Sequence, residues 1–598
     1  MLRSKSFLVP GLAAGLIGLG VAALAQPKLP TRPLPGVVDA VEVTDEMLLN
    51  PPEESWLMFR GNYASWGYSP LAQINTENVD TLQLGWSIAM EDGPNQATPL
   101  VHEGVLYLPH PDDVVTAHDA TNGDLLWEYR RENDVPYWGS GHINRNIAIA
   151  GDKIFMSAHD AAIVALDKNT GELVWESSVG DPAATTHSSG PIVAGGRVFS
   201  GRLCDYSTPV GCFVAAHDAQ TGQELWRTHV IPKPGEPGDE SWDGLPYEDR
   251  THASVWMVGS YDAELDLLYW GTSGPAPSPE VLRQPGKGDL LYTNSTLALD
   301  PATGEIVWYF QHLPRDNWDT DHTYERILVD AEVRPDPDET WVQNPGLPNG
   351  TQRLMTGIPG KTGTVWTLNR ETGEFYWAKQ TLEQNVIEAI DPATGRVTIS
   401  EDAIPKQEEG APVRVCPSLA GGRDWMAGSY SPLTKSMYMP MNNICMDMVA
   451  SRDDPRYGIK PRLMVTPGEE RLGRIDAINV ETGRTDWRFD QQAGPMSVLA
   501  TGGGLLFGGD TSRRFRAFDQ ESGEVLYETT LPGPVTGFPI SYAVDGVQYV
   551  AVAAGGGKGG LVVWQFLSGD RSARLGGNAN GLFVFRVAGS ETTPDQAD

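Results

Sequence analysis

Apolar and polar residues alternate along most of the chain in short runs, and turn residues separate these runs. Alternation with a period of two predicts β-strands. The runs come in pairs joined by one kind of turn, in which Asp or Asn is followed by Thr-Gly or Ser-Gly. This unit, A-x-D-x-x-T-G-x-x-x-W, occurs in seven copies, six of which keep the tryptophan, and they begin at Ala117, Ala165, Ala216, Ala298, Thr367, Ala477 and Ala517.

The spacing of the copies predicts the architecture. The closest copies lie 40 to 51 residues apart, which suits a four-stranded propeller blade. We expect one further blade to be closed where residues 84–86 join C-terminal strands near residues 561–566. The prediction is therefore an all-β protein, an eight-bladed β-propeller with tryptophan-docking repeats that spans residues 56–588. Seven blades is the alternative.

Two gaps between copies are longer, from Asp218 to Asp300 and from Asn369 to Asn479. They must hold long loops or insertions, and loops on a rigid scaffold are where functional sites are built. We expect residues 232–250 and 275–289 to shape the mouth of such a site.

The first 25 residues predict a secretory signal peptide rather than part of the fold. Arg3 and Lys5 give a basic start, an apolar stretch follows, and Ala-Leu-Ala ends it. A membrane anchor is the alternative. Cleavage would leave a periplasmic protein with no membrane span, an N-terminal arm over residues 26–55 and a disordered polar tail over residues 589–598.

The four cysteines are expected to be paired, because an exported chain enters an oxidising compartment. The simplest pairing is Cys204–Cys212 and Cys416–Cys445. The sequence contains no CxxCH, so it contains no attachment site for a c-type haem.

The formal net charge of −34 excludes electrostatic binding to nucleic acid or to an anionic membrane surface. Such a chain could attract a basic partner. The alternative is that the charge only keeps an exported protein soluble.

Four local motifs accompany the repeat: Trp270-Gly271-Thr272 followed by Pro275-Ala276-Pro277; Asp316-Asn317-Trp318-Asp319; Gly360-Lys361-Thr362-Gly363; and Cys416-Pro417-Ser418 with Asn443-Ile444-Cys445-Met446-Asp447. Together they resemble the pyrroloquinoline quinone (PQQ)-dependent alcohol dehydrogenases, the methanol and ethanol dehydrogenase family. The resemblance runs along nearly the whole chain after the signal peptide. It implies oxidation of a primary or secondary alcohol to an aldehyde or ketone, with transfer of electrons to a soluble cytochrome c.

The resemblance also implies roles for single residues. Asp319 matches the general base of the family and is one expected metal ligand. Asp321 occupies a place where an acid accompanies lanthanide-using members, whereas many calcium-using members carry a small residue there. Extra carboxylate oxygens suit a hard trivalent ion. Calcium and a lanthanide both remain open as the metal.

A second group matches residues that hold PQQ in the family. Trp256 corresponds to the flat floor of the cofactor pocket, and an indole suits a flat quinone. Arg145 corresponds to an arginine near the quinone oxygens, and Lys361 to a basic residue that bonds the reactive oxygen. Ser188 corresponds to a hydroxyl that binds a cofactor carboxylate, although Thr185, Thr186 and Ser189 are close by.

The chain also departs from the family pattern. Gly274 stands where the family has a metal-binding Asn, so Ser273 or Thr272 would have to substitute for it. The metal-binding Glu falls near Asp205 and Tyr206, and we choose Asp205 because it alone is a carboxylate. Two other replacements concern PQQ: Gln96 stands in place of a Glu and Asp424 in place of an Asn. The family's adjacent-cysteine disulfide is absent, and Cys204–Cys212 could hold the metal loop instead.

Two other hypotheses remain. A non-catalytic propeller that serves as a periplasmic assembly scaffold would share the repeats but would have no reason to keep the matched pocket residues. A six-bladed soluble sugar dehydrogenase fits poorly, because seven repeats are present.

Overall fold

The computed structural model describes residues 41–132, 135–136, 143–206, 212–556, 561–569 and 579–590. The predicted signal peptide, residues 26–40 of the predicted arm and residues 591–598 of the predicted tail lie outside these ranges. The domain boundaries therefore remain predictions.

The described residues contain two α-helices, α1 (Asp45–Leu49) and α2 (Leu561–Ser568), and five short 3-10 helices at Val79–Thr81, Asp239–Trp242, Tyr247–Asp249, Glu280–Leu282 and Glu401–Ala403. The first half of the chain supplies the strands β1 Tyr68–Ser69, β2 Leu82–Ala89, β3 Leu100–His102, β4 Val105–His110, β5 Val114–Asp119, β6 Leu125–Arg130, β7 Ala148–Ala150, β8 Lys153–Ala158, β9 Ala162–Asp167, β10 Leu173–Ser178, β11 Thr185–Thr186, β12 Ile192–Ala194, β13 Arg197–Gly201, β14 Leu203–Cys204, β15 Phe213–Asp218, β16 Glu224–His229, β17 Thr251–His252, β18 Ser260–Asp262, β19 Leu267–Gly271, β20 Pro275–Ala276, β21 Ser295–Leu299 and β22 Ile306–Gln311. The second half supplies β23 Ile327–Glu332, β24 Val342–Gln343, β25 Thr351–Gly357, β26 Thr364–Asn369, β27 Phe375–Gln380, β28 Ile387–Ile390, β29 Val397–Ile399, β30 Val413–Val415, β31 Ser429–Ser431, β32 Ser436–Asn442, β33 Ile444–Ala450, β34 Ile459–Val465, β35 Gly473–Asn479, β36 Thr485–Gln491, β37 Pro495–Thr501, β38 Leu505–Asp510, β39 Arg514–Asp519, β40 Val525–Thr530, β41 Ile540–Val544, β42 Val547–Ala554 and β43 Gly581–Val587.

These strands form sheets in the order in which the repeats follow one another. Within the described ranges, eight sheets have four or five strands, and their orders are β3-β4-β5-β6, β7-β8-β9-β10, β12-β13-β15-β16, β18-β19-β21-β22, β23-β25-β26-β27-β24, β31-β32-β35-β36, β1-β37-β38-β39-β40 and β2-β43-β42-β41. The strand pairs within these sheets are antiparallel apart from β1–β37. The chain is therefore an all-β protein built from sequential antiparallel sheets, as the alternation predicts.

The last sheet joins the two ends of the chain. Strand β2 pairs with β43, so that Leu84 lies opposite Phe585 and Trp86 opposite Val584. The predicted partner of this segment, residues 561–566, is wrong: those residues lie in helix α2. The sequence LVVWQFLS is mostly apolar, and a short apolar run does not distinguish a strand from a short helix.

The repeat turns hold the tryptophans of the preceding sheet. Trp127 donates a hydrogen bond from its indole N–H to the carbonyl of Lys168 at 3.0 Å, in the turn of the next repeat. Gly171 in that turn has φ of 71°, and a Cβ there would lie 2.6 Å from the Trp127 ring. Similar indole-to-carbonyl bonds join Trp86 to Ala120, Trp175 to Ala219, Trp226 to Pro301 and Trp487 to Gln520. The glycine is thus needed both for its conformation and for the space it leaves.

Insertions and crosslinks shape one part of the fold. The long gap before β35 holds the small sheets β28-β29 and β30-β33-β34. Both predicted disulfides are confirmed, Cys204–Cys212 and Cys416–Cys445. No helix within the described ranges combines the length and apolar character needed to cross a membrane.

Candidate functional site

A lysine and two aspartates form the centre of the site. The ammonium of Lys361 lies 2.8 Å from Oδ2 of Asp319 and 2.9 Å from Oδ2 of Asp321, and all three side chains are buried. The two acids come from the segment between β22 and β23, and the lysine follows β25. The backbone N–H of Lys361 also bonds the carbonyl of Asp321 at 3.0 Å. Adjacent sheets therefore bring these three predicted residues together.

Burial and charge set the protonation of this cluster. Burial alone would lower the pKa of Lys361, but Asp319 and Asp321 outweigh it and hold that pKa well above its usual value. Burial raises the pKa of Asp319 well above the ordinary range, and Asp321 raises it further against the opposing effect of Lys361. The cluster thus combines a permanent cation with a carboxylate of increased proton affinity.

The backbone around Asp319 is held by a third acid. Asp316 is fully buried, and its Oδ1 accepts the N–H of Trp318 at 2.8 Å while its Oδ2 accepts the N–H of Thr320 at 2.9 Å. Asp319, between these two donors, has φ of 62°, in the left-handed region that non-glycine residues seldom adopt. The indole of Trp318 donates to the carbonyl of Ala403 at 2.7 Å. Asp316 therefore fixes the direction in which Asp319 points.

Gly274 lies against this third acid. A Cβ on Gly274 would lie 2.4 Å from Oδ2 of Asp316, so a larger residue there would displace that carboxylate. The hydroxyl of Thr272 already bonds backbone atoms of Tyr292 and Ser295, at 2.6 and 2.8 Å. Thr272 is therefore committed to the fold, and Gly274 makes room for Asp316.

A flat, cationic surface lies next to the cluster. The guanidinium carbon of Arg145 lies 5.1 Å from the ring centroid of Trp256, which is partly exposed. Arg145 donates from Nη1 to the carbonyl of Ser188 at 2.8 Å, and the Ser188 hydroxyl donates to the carbonyl of Trp256 at 3.2 Å. Burial lowers the pKa of Arg145 to about 10, against the opposing charge of Asp424, so the group stays cationic at neutral pH. Three predicted residues are thus brought together here.

Two further aromatic residues connect this surface to the acids. Tyr324 packs edge-on against Trp256 at 5.7 Å and donates its hydroxyl to Oδ1 of Asp424 at 3.0 Å. Burial raises the pKa of Asp424 above its usual value, and the charge of Lys361 opposes this rise. Trp425 packs against the guanidinium of Arg145 at 5.9 Å. Sequence reasoning missed Tyr324 and Trp425, although Trp425 directly follows the predicted Asp424.

A pair of tyrosines lies on another side of the acids. The hydroxyls of Tyr206 and Tyr457 are 2.8 Å apart, and the Tyr206 ring stacks on His252 at 4.4 Å. Burial raises the pKa of Tyr206 to about 12, and after the opposing hydrogen bond from Tyr457 the carboxylates of Asp319 and Asp321 add to the rise. The sequence offered one signal for Tyr206, its place beside Asp205, and none for Tyr457 in the long insertion.

The structure connects two predicted residues, Gln96 and Asp205, to the site less directly. Gln96 is buried, its Oε1 has no hydrogen-bond partner within the described ranges, and it lies near the backbone bond from Thr98 to Arg145. Asp205 follows β14, and its charge acts on His252. Within the part of the chain that the structure describes, no group of three or more His, Cys, Asp or Glu side chains is placed to hold a metal ion. The structure therefore groups Asp319 with Asp321 and does not add Asp205 to them.

Comparison with known proteins gives a consistent result. The family model described as "PQQ: Glucose/ethanol/alcohol dehydrogenase, beta-propeller domain" matches residues 56–381 and 491–550. Lupanine 17-hydroxylase [cytochrome c] of Pseudomonas sp is 30% identical over 570 residues, covering 90% of this chain and 78% of that protein. Quinohemoprotein alcohol dehydrogenase ADH IIB of Pseudomonas putida is 30% identical over 586 residues, covering 92% and 81%.

Solved structures agree with the sequence relatives. A europium-containing methanol dehydrogenase superposes with a TM-score of 0.81 at 26% identity, covering 91% of this chain and 100% of that one. The quinohemoprotein alcohol dehydrogenase of Comamonas testosteroni superposes with a TM-score of 0.79 at 27% identity, covering 93% and 84%.

Proposed function

Because the chain belongs to the family of PQQ-dependent glucose, ethanol and alcohol dehydrogenase β-propellers, we propose that it oxidises a primary or secondary alcohol to an aldehyde or ketone. The observation that carries this proposal is the buried cluster of Lys361 with Asp319 and Asp321 beside the Trp256–Arg145 surface. A general base, a fixed cation and a flat aromatic platform are the parts that a quinone-dependent oxidation needs from a protein.

The residues beside Trp256 fit PQQ, a flat quinone with three carboxylates. The indole face of Trp256 suits stacking, and the buried Nε of Arg145 and Oε1 of Gln96 have no hydrogen-bond partner within the described ranges. Such buried polar groups need partners, and a polar ligand would supply them. Trp256, Arg145, Ser188, Gln96 and Asp424 would hold PQQ, and Lys361 would bond its reactive oxygen.

Asp319 and Asp321 fit a hard cation, calcium or a lanthanide. Both are carboxylates, and Oδ1 of Asp321 is buried without a hydrogen-bond partner among the described residues. Asp205 stays a weaker candidate, because the structure does not add it to this pair. The remaining ligands would then be neutral oxygens, which both kinds of ion accept.

When bound, PQQ would supply the electrophilic carbonyl that serves as hydride acceptor, and the metal would supply Lewis acidity. The protein supplies the proton acceptor. The carboxylate of Asp319 would take the hydroxyl proton of the alcohol. Lys361 holds this carboxylate in place through a 2.8 Å bond, and Asp316 fixes the backbone that carries it.

The proposal extends to architecture and partners. We interpret the eight sheets as eight blades of one propeller and the tryptophan-to-turn contacts as the docking of each blade on the next. Electrons would pass to a soluble cytochrome c in the periplasm. One relative carries cytochrome c in its name, and the net charge of −34 would attract a basic cytochrome.

Dye-linked alcohol oxidation by the purified protein tests the function. PQQ is added with calcium in one series and with a light lanthanide in another, across short primary and bulky secondary alcohols. We expect activity that Asp319→Asn lowers by at least 100-fold. The exposed Asp402→Asn serves as the matched control and should keep full activity. Absence of PQQ uptake and of activity in both series would refute the proposal and support a non-catalytic scaffold.

A further inference from the structure

The two tyrosine hydroxyls beside the acids are bonded only to each other. The side chains of Tyr206 and Tyr457 are partly exposed and their hydroxyl oxygens lie 2.8 Å apart, and neither hydroxyl makes another hydrogen bond among the described residues. In such a pair one hydroxyl donates to the other, so one O–H hydrogen is left without an acceptor. The pair therefore offers one hydrogen-bond donor to a neighbouring molecule.

Both rings are held by contacts outside the pair. The Tyr206 ring stacks on His252 at 4.4 Å, and the carbonyl of His252 accepts the N–H of Cys212 at 3.0 Å. The carbonyl of Tyr457 accepts the N–H of Ser278 at 2.7 Å. Because these contacts do not involve the hydroxyls, replacement of either tyrosine by phenylalanine should leave its ring in place.

The segment that holds the Tyr457 backbone also contacts the loop of the proposed general base. The N–H of Glu280 donates to Oδ1 of Asn317 at 2.7 Å, two residues before Asp319. The charges agree with this placement. Burial raises the pKa of Tyr457 well above its usual value, and the phenol of Tyr206 and then the carboxylate of Asp319 add to the rise. The hydroxyl pair thus lies on the side of the site that Asp319 faces electrostatically.

The unpaired O–H hydrogen restricts the chemistry of a bound alcohol. An alkyl group packed against the pair would exclude water from this donor without supplying an acceptor, which is unfavourable. A second hydroxyl on the alcohol would accept the bond. A protonated amine has no lone pair to accept it, and a carboxylate would be repelled by Asp319 and Asp321.

We propose that the substrate is a diol, with one hydroxyl at Asp319 and the other bonded to the Tyr206–Tyr457 pair. This inference rests on the proposed alcohol oxidation and names the class of alcohol. A site built to bond a substrate hydroxyl discriminates against an analogue that has a methyl group there, because the donor of the protein is then left unpaired.

Two pairs of alcohols of nearly equal size test the inference in the dye-linked assay: ethylene glycol with 1-propanol, and 1,3-propanediol with 1-butanol. In each pair a hydroxyl replaces a methyl group. We expect the wild-type protein, loaded with PQQ and metal, to oxidise at least one diol with a kcat/KM at least about 10-fold above that of its partner.

The double variant Tyr206→Phe with Tyr457→Phe should lower this ratio of kcat/KM values at least about 5-fold. A change in the amount of folded or loaded protein alters both rates equally, so a purely structural effect leaves the ratio unchanged. Tyr309→Phe, at a tyrosine that is 44% exposed on β22, is the matched control and should keep the wild-type ratio. The midpoint of a terbium titration, followed by luminescence, should be the same in the double variant and the wild type.

Three results would overturn the inference while leaving alcohol oxidation intact. They are equal kcat/KM values for diol and partner in both pairs, an unchanged ratio in the double variant, and a shifted terbium midpoint, which would make the phenols metal ligands. The first of these needs no variant. Inactivity of the wild-type protein toward all four alcohols would overturn the proposed function and this inference with it.

Discussion

Gly274→Ala is the change that most directly tests how the site is built. In the structure a Cβ at this position would lie 2.4 Å from Oδ2 of Asp316, whereas carbon and oxygen normally approach to about 3.3 Å. The two groups must therefore separate by roughly 1 Å. Asp316 is fully buried, so the movement must be taken by its carboxylate or by the backbone that it holds.

The magnitude follows from the bonds at risk. The bond from the N–H of Thr320 to Oδ2 of Asp316 is 2.9 Å long and would break if that oxygen moved by this amount. A hydrogen bond to a charged group contributes about 1.5–3 kcal/mol, and overpacking costs about 1–3 kcal/mol. We expect a loss of about 2–4 kcal/mol in the free energy of unfolding. For a chain of this length that is a fall in melting temperature of roughly 2–4 °C.

Activity should fall more steeply than stability. Asp319 lies between the two backbone donors to Asp316, and displacement of a catalytic group by 1 Å costs about 100-fold in rate. The assays are thermal unfolding and dye-linked alcohol oxidation. Gly85→Ala is the matched control, because its Cβ would meet its nearest neighbour at 3.4 Å.

A double-mutant cycle decides whether Asp316 is the cause. If the clash is with this carboxylate, Gly274→Ala should cost little in an Asp316→Ala background, where the space is open. Additive effects of the two changes would refute the reasoning, as would an unaltered melting temperature of Gly274→Ala.

Three further predictions concern other parts of the molecule. Burial would raise the pKa of Asp113, but hydrogen bonds from His159 and His187 outweigh it and lower this pKa to about 2, while the pKa of His159 is raised. The stability from Asp113 is therefore present above about pH 4 and lost as the pH falls toward 2, and that from His159 is lost as the pH rises through its raised pKa. Asp113→Asn should cost about 2 kcal/mol near pH 5 and much less near pH 2, as followed by melting temperature; a constant difference across this range would contradict the expectation. Cys204→Ser with Cys212→Ser should lower the free energy of unfolding by about 2–3 kcal/mol relative to oxidised wild-type protein in urea denaturation, and the two proteins should match once both are fully reduced. Asp321→Ala should lower lanthanide-supported activity by at least 10-fold and calcium-supported activity much less, in metal titrations of the PQQ-loaded protein; equal loss in both would show that Asp321 does not select the metal.

The strands and turns could be predicted because their signals are local. The alternation, the Asp-to-Thr turn and the glycine at positive φ all lie within one repeat, so the sequence contains them in full. The joining of the ends could not be predicted in the same way. Strand β43 and helix α2 are both apolar, and only pairing with β2 shows which of them completes the sheet.

The residues of the site likewise differ in whether a local motif reveals them. Asp319 and Lys361 lie in recognisable motifs, and the structure places their side chains 2.8 Å apart. Tyr206 and Tyr457 are 251 residues apart, and the bond between their hydroxyls depends on how an insertion packs against another sheet. No short motif carries that information, because it belongs to the packing of distant elements.

The departures from the family pattern change the charge of the site in both directions: Gln96 removes an acid, and Asp424 adds one. The site already gathers Asp319, Asp321 and Asp424 around the cations of Lys361 and Arg145. The three carboxylates of the cofactor would add to this negative charge. Each further acid in contact with the cofactor would therefore weaken its binding. The neutral side chains of Gln96 and Tyr206 add no further negative charge to the site. On this argument a trivalent ion balances the loaded site better than a divalent one, and the lanthanide series of the metal titration is the one in which we expect the higher activity.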